Sequence, residues 1–546
     1  MWTNRDMPVG KENFKIIRDE GKYYIDKTSL IDDVLSHGNE SASLFTRPRR
    51  FGKTLNLSML DAYLNRDYVG NTWFDGLKIS EIRPDDPEKN SNIVVTITLK
   101  DLGDGRFDMM LDYLRMKVTR EFCTHFKEKD LKRMNPEQQL IFHEMMSDTP
   151  PEYVLGTSLQ ALCELIHECH GVKPILLIDE YDSIMNYSYG EPDRDRITGF
   201  MRQFLGSALK SNPHLKFAVL TGVMKVSKES IFSGLNNLWV NDVLSKDSDE
   251  AYGFTPEEVR KLCEDLDVPE KFEEARRWYD GYRFGNAEIY NPWSVMEYAR
   301  RRFEPDEYWA STSGNSIIDD LVSMLDEESA KDLRTLCSGE TVCMPLDRNI
   351  SYGELHSDPR AVYSIMVMAG YLTAKSNGER YDVSIPNLEL YRVFGRMISA
   401  KVAPGSDWTV SLLVDALESG DDESAEMHLG RLMEILSVRI LGDEKVYQAF
   451  IAGLMASYHG KYMISVDREA GNGYYDVLMK SMRGDRSNIL IEIKRCREGD
   501  PKKAAEKGLE QIAGKGYASG LEGRTMAYGI AFDGKVPTVV HRELDV

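Results

Sequence analysis

Three groups of residues in this 546-residue chain have the types and spacing to do chemistry. The first is Gly52-Lys53-Thr54, inside the run FTRPRRFGKTLNL. A glycine admits close backbone approach, an ammonium meets the outer phosphates of a nucleotide, and a hydroxyl can hold Mg²⁺. A full G-x-x-x-x-G-K-(S/T) loop would place another glycine at position 47, where the chain has Arg47. The second group is Asp179-Glu180, at the end of the apolar run in KPILLIDEYDSIM. A carboxylate at such a strand tip can hold Mg²⁺ through water, and an adjacent glutamate can polarise the attacking water. Taken alone the pair could merely end a strand. The G-K-T upstream turns the reading toward a nucleotide site, with Thr221 at the tip of LKFAVLTG placed to sense the terminal phosphate. The third group is Asp476 with Glu492-Ile493-Lys494. Glu492 and Lys494 are two apart and leave the same strand face. Two carboxylates and a lysine on one face are costly unless a cation is bound. Such a set can hold Mg²⁺ or Mn²⁺ and orient a water toward a phosphodiester.

The elements that must position these groups follow from periodicity. ASLFT reads as a strand, and TLNLSMLDAYLN as a helix with Leu55, Met59, Leu60 and Tyr63 on one face. NIVVTITL, ILLI and LKFAVLTG read as further strands, the second buried on both faces. Tyr23 to Ile25 makes a short strand-like run, residues 105 to 170 are mostly helical, and Ile197 to Leu209 follows helical spacing. Strands alternating with helices imply a parallel sheet covered on both faces. Thr255 with Glu258 three residues on is a capping box. The aromatic run RRWYDGYRFGNAEIYNPWSV reads as a packed turn ahead of a ligand-facing loop.

Composition bounds the rest. The length predicts several domains. A formal charge of −21 argues against general adhesion to nucleic acid or anionic membrane, so such contacts must come from local basic clusters. Seven cysteines without regular spacing fit a reducing compartment. Cys163, His167, Cys169 and His170 invite a zinc reading, but LQALCELIHECH has the apolar spacing of an amphipathic helix, which is the expectation here. No signal peptide and no membrane-spanning run is evident, which predicts a cytoplasmic protein without a membrane partner.

YYIDKT, RPRRFGKT, LLIDEYD, ALKSNPHLKFAVLTG, IFSGLNN, WYDGYRFG and YNPWS occur in order over nearly the whole first 300 residues. Together they resemble the AAA-ATPase-like family of bacterial and archaeal proteins, whose ATPase domain is usually followed by a PD-(D/E)XK nuclease-like domain. The resemblance implies an α/β protein with a P-loop NTPase sheet of the additional-strand class, binding ATP and Mg²⁺. Lys53, Thr54, Asp179 and Glu180 then stand at the phosphate-binding, Mg²⁺-binding and water-activating positions. In this family R-P-R-R-F-G-K-(S/T) stands where the missing glycine would be. Arg47, Arg49 and Arg50 could bind the triphosphate, pair structurally, or act across a subunit boundary of a homo-oligomer. Structural pairing ranks first for at least one of them, and Arg49 and Arg50 are carried as candidate nucleotide ligands with Gly52.

Residues 300 to 435 read as a helix-rich, acidic connector with MVMAGYLTA and YDVSIPNLELYRVF as islands of strand or turn. Behind it come a helix starting near Glu444, three strands (YMISVDRE, GYYDVLMKS, SNILIEIKR) and the helix AAEKGLEQIAGKGYA. That order resembles the PD-(D/E)XK fold. The resemblance implies that Asp476 and Glu492 bind metal, Lys494 activates water, Glu444 is the helix acid, and Gln511 with Tyr517 forms the motif on the following helix. Tyr475 stands where that fold usually has a proline. Lys494, Arg495, Arg497, Lys502, Lys503 and Lys507 offer local phosphate contacts.

The expected division is an ATPase domain over 1–285, a helical middle region over 286–435 and a nuclease-like domain over 436–546. The expected function is an ATP-binding, ATP-hydrolysing protein coupled to a metal-dependent nuclease acting on nucleic acid, DNA before RNA. The alternative is a nucleotide-switched signalling or scaffold NTPase whose nuclease-like domain only binds nucleic acid or a partner.

Overall fold

The computed structural model describes residues 2–37, 42–103, 105–188, 190–225, 238–309, 332–333, 335–336, 340–349, 361–394, 407–433, 444–455, 458, 460–470, 473–496 and 499–544. The IFSGLNN run and Arg497 lie outside them. The chain forms two compact units: Met1–Trp309 with Pro345–Tyr381, and Ala310–Met344 with Asp382–Val546. The stretch 286–435 contributes residues to both. Among the described residues no helix is long and apolar enough to cross a membrane.

The first unit is built on a five-stranded sheet of β1 (Ala42–Thr46), β2 (Val94–Thr98), β3 (Ile175–Asp179), β4 (Phe217–Gly222) and β5 (Leu238–Asn241), in the order β2-β3-β4-β1-β5. Every pairing is parallel. β1, β3 and β4 are buried along their whole length, as expected of strands covered on both faces. Each buried Leu, Ile or Val there contributes about 1.5–3 kcal/mol. An additional strand, β4, separates β1 from β3. Helix α1 (Lys53–Leu64) follows β1, α2 (Ser158–His170) precedes β3, and α3 (Arg194–Leu209) precedes β4. On α1 the buried face carries Asn56, Leu57, Met59, Leu60 and Tyr63, whereas Leu55 is half-buried. Asn56 is held there by donating to the Ala251 carbonyl at 2.9 Å.

Three sequence expectations change: of YDVSIPNLELYRVF only the first four residues lie in a strand (Arg380–Ser384), and residues 388–394 are helical. Tyr23 to Ile25 is not a strand. Its alternating burial comes from packing, and its Tyr23 amide bonds the Asp6 carbonyl at 3.0 Å instead of entering a ladder. MVMAGYLTA is helical in its first half. Helix α4 (Ala361–Ala369) runs to the glycine, and only Thr373–Asn377 is a strand. The Thr255 capping box is present, with Thr255 N donating to Glu258 Oε2 at 2.9 Å.

The second unit holds α5 (Asp407–Ser419), α6 (Asp422–Met433), α7 (Glu444–Met455), β6 (Tyr462–Ala470), β7 (Gly473–Ser481), β8 (Asn488–Arg495), α8 (Pro501–Lys515), β9 (Thr525–Asp533) and β10 (Val536–Leu544). Its mixed sheet runs β6-β7-β8-β9-β10, parallel only between β8 and β9. The last two strands are additions to the sequence reading. Ile489, Ile491 and Ile493 join Tyr447, Ile451 and Leu454 of α7 in one core, while Leu490 joins Leu509 and Ile512 of α8 in another. β8 therefore sends its even-numbered residues, Glu492 and Lys494 included, to the α8 side.

Candidate functional site

Parallel pairing brings the ends of β1, β3 and β4 to one edge of the first sheet. Phe45 pairs with Thr221, Thr46 with Gly222, and Ile178 with Leu220. The chain leaves β1 through residues 47–52 and re-enters a helix at Gly52, whose φ of +85° is open to glycine at little cost. Arg50 (φ +69°) and Glu180 (φ +51°) are also left-handed, which side chains other than glycine adopt only when their surroundings hold them.

Asp179 is the centre of this edge. Its Oδ2 accepts the Thr54 hydroxyl at 2.7 Å, and its Oδ1 accepts the Thr221 hydroxyl and, at 3.1 Å, the Glu180 amide. Octahedral Mg²⁺ places neighbouring oxygen ligands about 2.9 Å apart. The Thr54–Asp179 pair is close to that separation and is made of hard oxygen donors, so the residues fit the ion. Lys53 is buried and donates to the carbonyls of Arg47 at 2.9 Å and Pro48 at 2.8 Å. Burial pulls its ammonium below the usual lysine range, against the attraction of Asp182, Glu180 and Asp179. Burial, then the Asp179 charge, push the Glu180 carboxyl above the usual glutamate range.

The three arginines separate. Arg47 is buried. It donates to the Thr46 and Asn241 carbonyls at 2.9 Å and to Asn241 Oδ1 at 2.5 Å. Its guanidinium lies 5.1 Å from the ring centres of both Tyr252 and Phe284, and burial pulls its pKa down to about 10. It ties the end of β1 to the end of β5. Arg50 lies 4.3 Å over the Trp293 ring and 3.6 Å from Glu12. Arg49 is fixed through its carbonyl, which accepts from Trp309 Nε1 at 3.0 Å.

The aromatic run packs against the loop. Phe51 meets Tyr282 at 5.0 Å and Phe284 at 5.2 Å. Further bracing comes from residues the sequence reading left unassigned. Gly370 (φ +83°) ends α4 so close to the loop that a Cβ there would fall 2.6 Å from Pro48 Cβ, and Tyr371 packs edge-on against Trp309 at 4.8 Å. MVMAGYLTA reads from sequence as an island of strand or turn, and nothing in it signals contact with Pro48, hundreds of positions earlier. Asp182 lies in LLIDEYD with no role legible from the sequence. It is buried, its carboxyl is pushed up by burial, and its Oδ2 accepts the Val223 and Met224 amides at 2.9 Å, holding the turn after β4.

In the second unit the β7–β8 ladder runs from Met479↔Ile489 to Val477↔Ile491. At the next position a side chain takes over, and the Ile493 amide donates to Asp476 Oδ2 at 2.6 Å. That bond places the Asp476 carboxylate against the middle of Glu492-Ile493-Lys494. Glu492 is 2% exposed, and its Oε1 accepts from Lys494 Nζ at 2.8 Å and from Gln511 Nε2. Gln511 also donates to the Tyr517 hydroxyl at 3.2 Å. An uncompensated buried carboxylate would cost several kcal/mol, roughly, and the lysine and amide offset this. Asp476 and Glu492 offer carboxylate oxygens, donors that suit Mg²⁺ or Mn²⁺. Glu444 begins α7, and its side chain is outside the described residues. Gln448, one turn on, was missed. Its Nε2 donates to the Asp476 carbonyl at 3.2 Å and to Oδ1 at 3.4 Å. Lys502, Lys503 and Lys507 are exposed on the first turns of α8.

Residues 8–232 match the family model described as a predicted AAA-ATPase, and residues 442–542 match that of the PD-(D/E)XK nuclease superfamily. The chain is also 27% identical, over 400 residues, to a protein of Azotobacter chroococcum mcd 1 described as an uncharacterized protein in the vnfD 5' region. That match covers 71% of this chain and 69% of the relative.

Proposed function

We propose that this chain, with its AAA-ATPase-like region and its PD-(D/E)XK nuclease-superfamily region, hydrolyses ATP at the first site and cleaves nucleic acid, DNA before RNA, at the second. Nucleotide chemistry is assigned to 1–285 and phosphodiester chemistry to 436–546, with 286–435 between them in sequence. Thr54 and Asp179 would hold Mg²⁺, Lys53 with Gly52, Arg49 and Arg50 would bind phosphates, Thr221 would sense the terminal phosphate, and Glu180 would take the proton of the attacking water. The raised Glu180 carboxyl makes its carboxylate a better proton acceptor than that of an ordinary glutamate.

At the second site Asp476 and Glu492, with Glu444, would hold Mg²⁺ or Mn²⁺. Such an ion neutralises phosphate charge and acidifies a bound water. Lys494 would orient that water and stabilise the charge that develops on the phosphate oxygens. The basic side chains of α8 would meet the nucleic-acid backbone, and the protein would act in the cytoplasm.

The observation that carries this reading is the Ile493–Asp476 bond. It brings a second carboxylate to the Glu492–Lys494 pair, which a merely solvated strand pair would have no reason to do. The test is a divalent-dependent ATPase and nuclease assay on wild type, Lys53→Ala, Asp476→Ala and Lys494→Ala. Cleavage lost in the last two supports the proposal. Intact DNA and RNA after wild-type incubation, with nucleotide still altering oligomeric state, would favour the switched scaffold instead.

A further inference from the structure

Away from both sites, the chain brings together two histidines and a glutamate that neither reading uses. His167 and Glu168 lie in the last turn of α2, and His214 lies in the lead-in to β4. The two Nδ1 atoms are 2.9 Å apart, with ring centres 5.2 Å apart and planes tilted by 60°. One ligand atom from each of His167, Glu168 and His214 lies within 4.8 Å of the others. The histidines are half-buried and the glutamate is exposed. Because β3 and β4 begin here while the phosphate loop follows the end of β1, the cluster sits at the opposite edge of the parallel sheet from the nucleotide site.

We propose that His167, Glu168 and His214 form a site for a transition-metal dication, zinc first. Zinc–imidazole bonds of about 2.0–2.1 Å put two nitrogens about 2.9–3.4 Å apart for angles between octahedral and tetrahedral. The observed separation falls at the near end of that range. Two imidazoles and a carboxylate form a borderline donor set that suits Zn²⁺, Ni²⁺ or Co²⁺ and not Mg²⁺ or Ca²⁺. Without an ion the contact is a hydrogen bond in which one ring donates to the other, and with the proton of each ring on Nε2 both Nδ1 lone pairs can be directed at one ion. The C-terminal end of α2 adds a favourable field for positive charge.

The frame is built before any ion arrives. His214 N donates to Asn212 Oδ1 at 3.0 Å, Asn212 Nδ2 donates to the Ala208 carbonyl at 3.0 Å, and Lys216 N donates to the Pro174 carbonyl at 2.9 Å. None of these bonds uses the His214 ring, so removing the ring leaves the turn in place. Bound metal would clip α2 to the entry of β4. The sequence grouped His167 with Cys163, Cys169 and His170, but the helix disperses them: Cys163 enters the core, and His170 stacks on Phe126 with ring centres 6.1 Å apart. The true partner is 47 positions away.

The test uses the whole 546-residue chain, chelator-treated and carrying Asp476→Ala, which weakens the proposed metal site of the second unit, with excess Mg²⁺ to occupy that of the first. Calorimetric titration with ZnCl₂ and thermal melts are compared with the same protein carrying His214→Ala or His167→Ala. One equivalent of bound Zn²⁺ with a rise in Tm, both lost in either histidine variant, and a Co²⁺ absorption band that disappears with them, is the expected result. Equal zinc binding and an equal Tm rise in the histidine variants would overturn the proposal. So would a Tm that does not respond to zinc although His214→Ala lowers it, which would identify two histidines joined only by their hydrogen bond.

Discussion

The two candidate sites hold their central aspartates by different means. Asp179 ends a strand buried on both faces and is fixed by two side-chain hydroxyls, Thr54 and Thr221, beside a left-handed Glu180. Asp476 lies inside a strand and is fixed by a backbone amide, at the point where the β7–β8 ladder gives way. The first arrangement depends on loops braced from far along the chain, through Gly370, Trp309 and Arg47. The second depends on strand register and on helices α7 and α8 that follow or precede it within about 35 residues. A site made by loops at a sheet edge can be reshaped by its ligand. A site made by register keeps its geometry whenever the sheet is formed.

The sharpest way to break this comparison is to disable each centre in turn. Lys53→Ala should lower ATP turnover by about 10²-fold or more and leave Mn²⁺ binding by the second unit unchanged. Asp476→Ala should lower cleavage by a similar factor and leave nucleotide binding intact. Nucleotide titration and Mn²⁺ titration on both variants read this directly. Loss of both functions in either variant would show that the sites are not separately built.

Next in size is the bracing of the phosphate loop. Gly370→Ala puts a Cβ at positive φ against Pro48, and should cost about 1–3 kcal/mol of stability and weaken nucleotide binding, with cleavage spared. Chemical denaturation and nucleotide titration check it.

The pH dependence should differ as well. Glu180 must be ionised to accept a proton, and its pKa is raised. ATP turnover should therefore fall as pH drops through a range above that of an ordinary glutamate, and Glu180→Gln should bind nucleotide without turnover at any pH. A kcat profile against pH for wild type, with nucleotide binding by Glu180→Gln, tests this. The smallest effect is expected from Gln448→Ala, which removes two long hydrogen bonds to Asp476. It should weaken Mn²⁺ binding about 10-fold or less while the fold is kept, as read by Mn²⁺ titration.

Much of this was legible from local pattern. Continuous apolar runs marked β1, β3 and β4, and alternation with E-x-K marked β7 and β8, because side-chain period depends only on nearest neighbours. The same locality explains the errors. Tyr23 to Ile25 carries alternating burial without a ladder partner, and MVMA continues a helix whose stop signal is the following glycine.

By itself the sequence determined which residue types were available at each strand end: an ammonium and hydroxyl after β1, two acids at the end of β3, a hydroxyl at the end of β4, and the D and E-x-K groups in the second unit. Only the tertiary structure decided which of them meet. β4 inserts between β1 and β3, so Thr221 and Thr54 both reach Asp179. Arg47 turns inward to Asn241 while Arg50 lies on Trp293, and His167 finds His214 instead of its neighbours on the helix. These partners lie tens to hundreds of positions apart. Their contact is set by sheet order and loop closure, which no local period encodes.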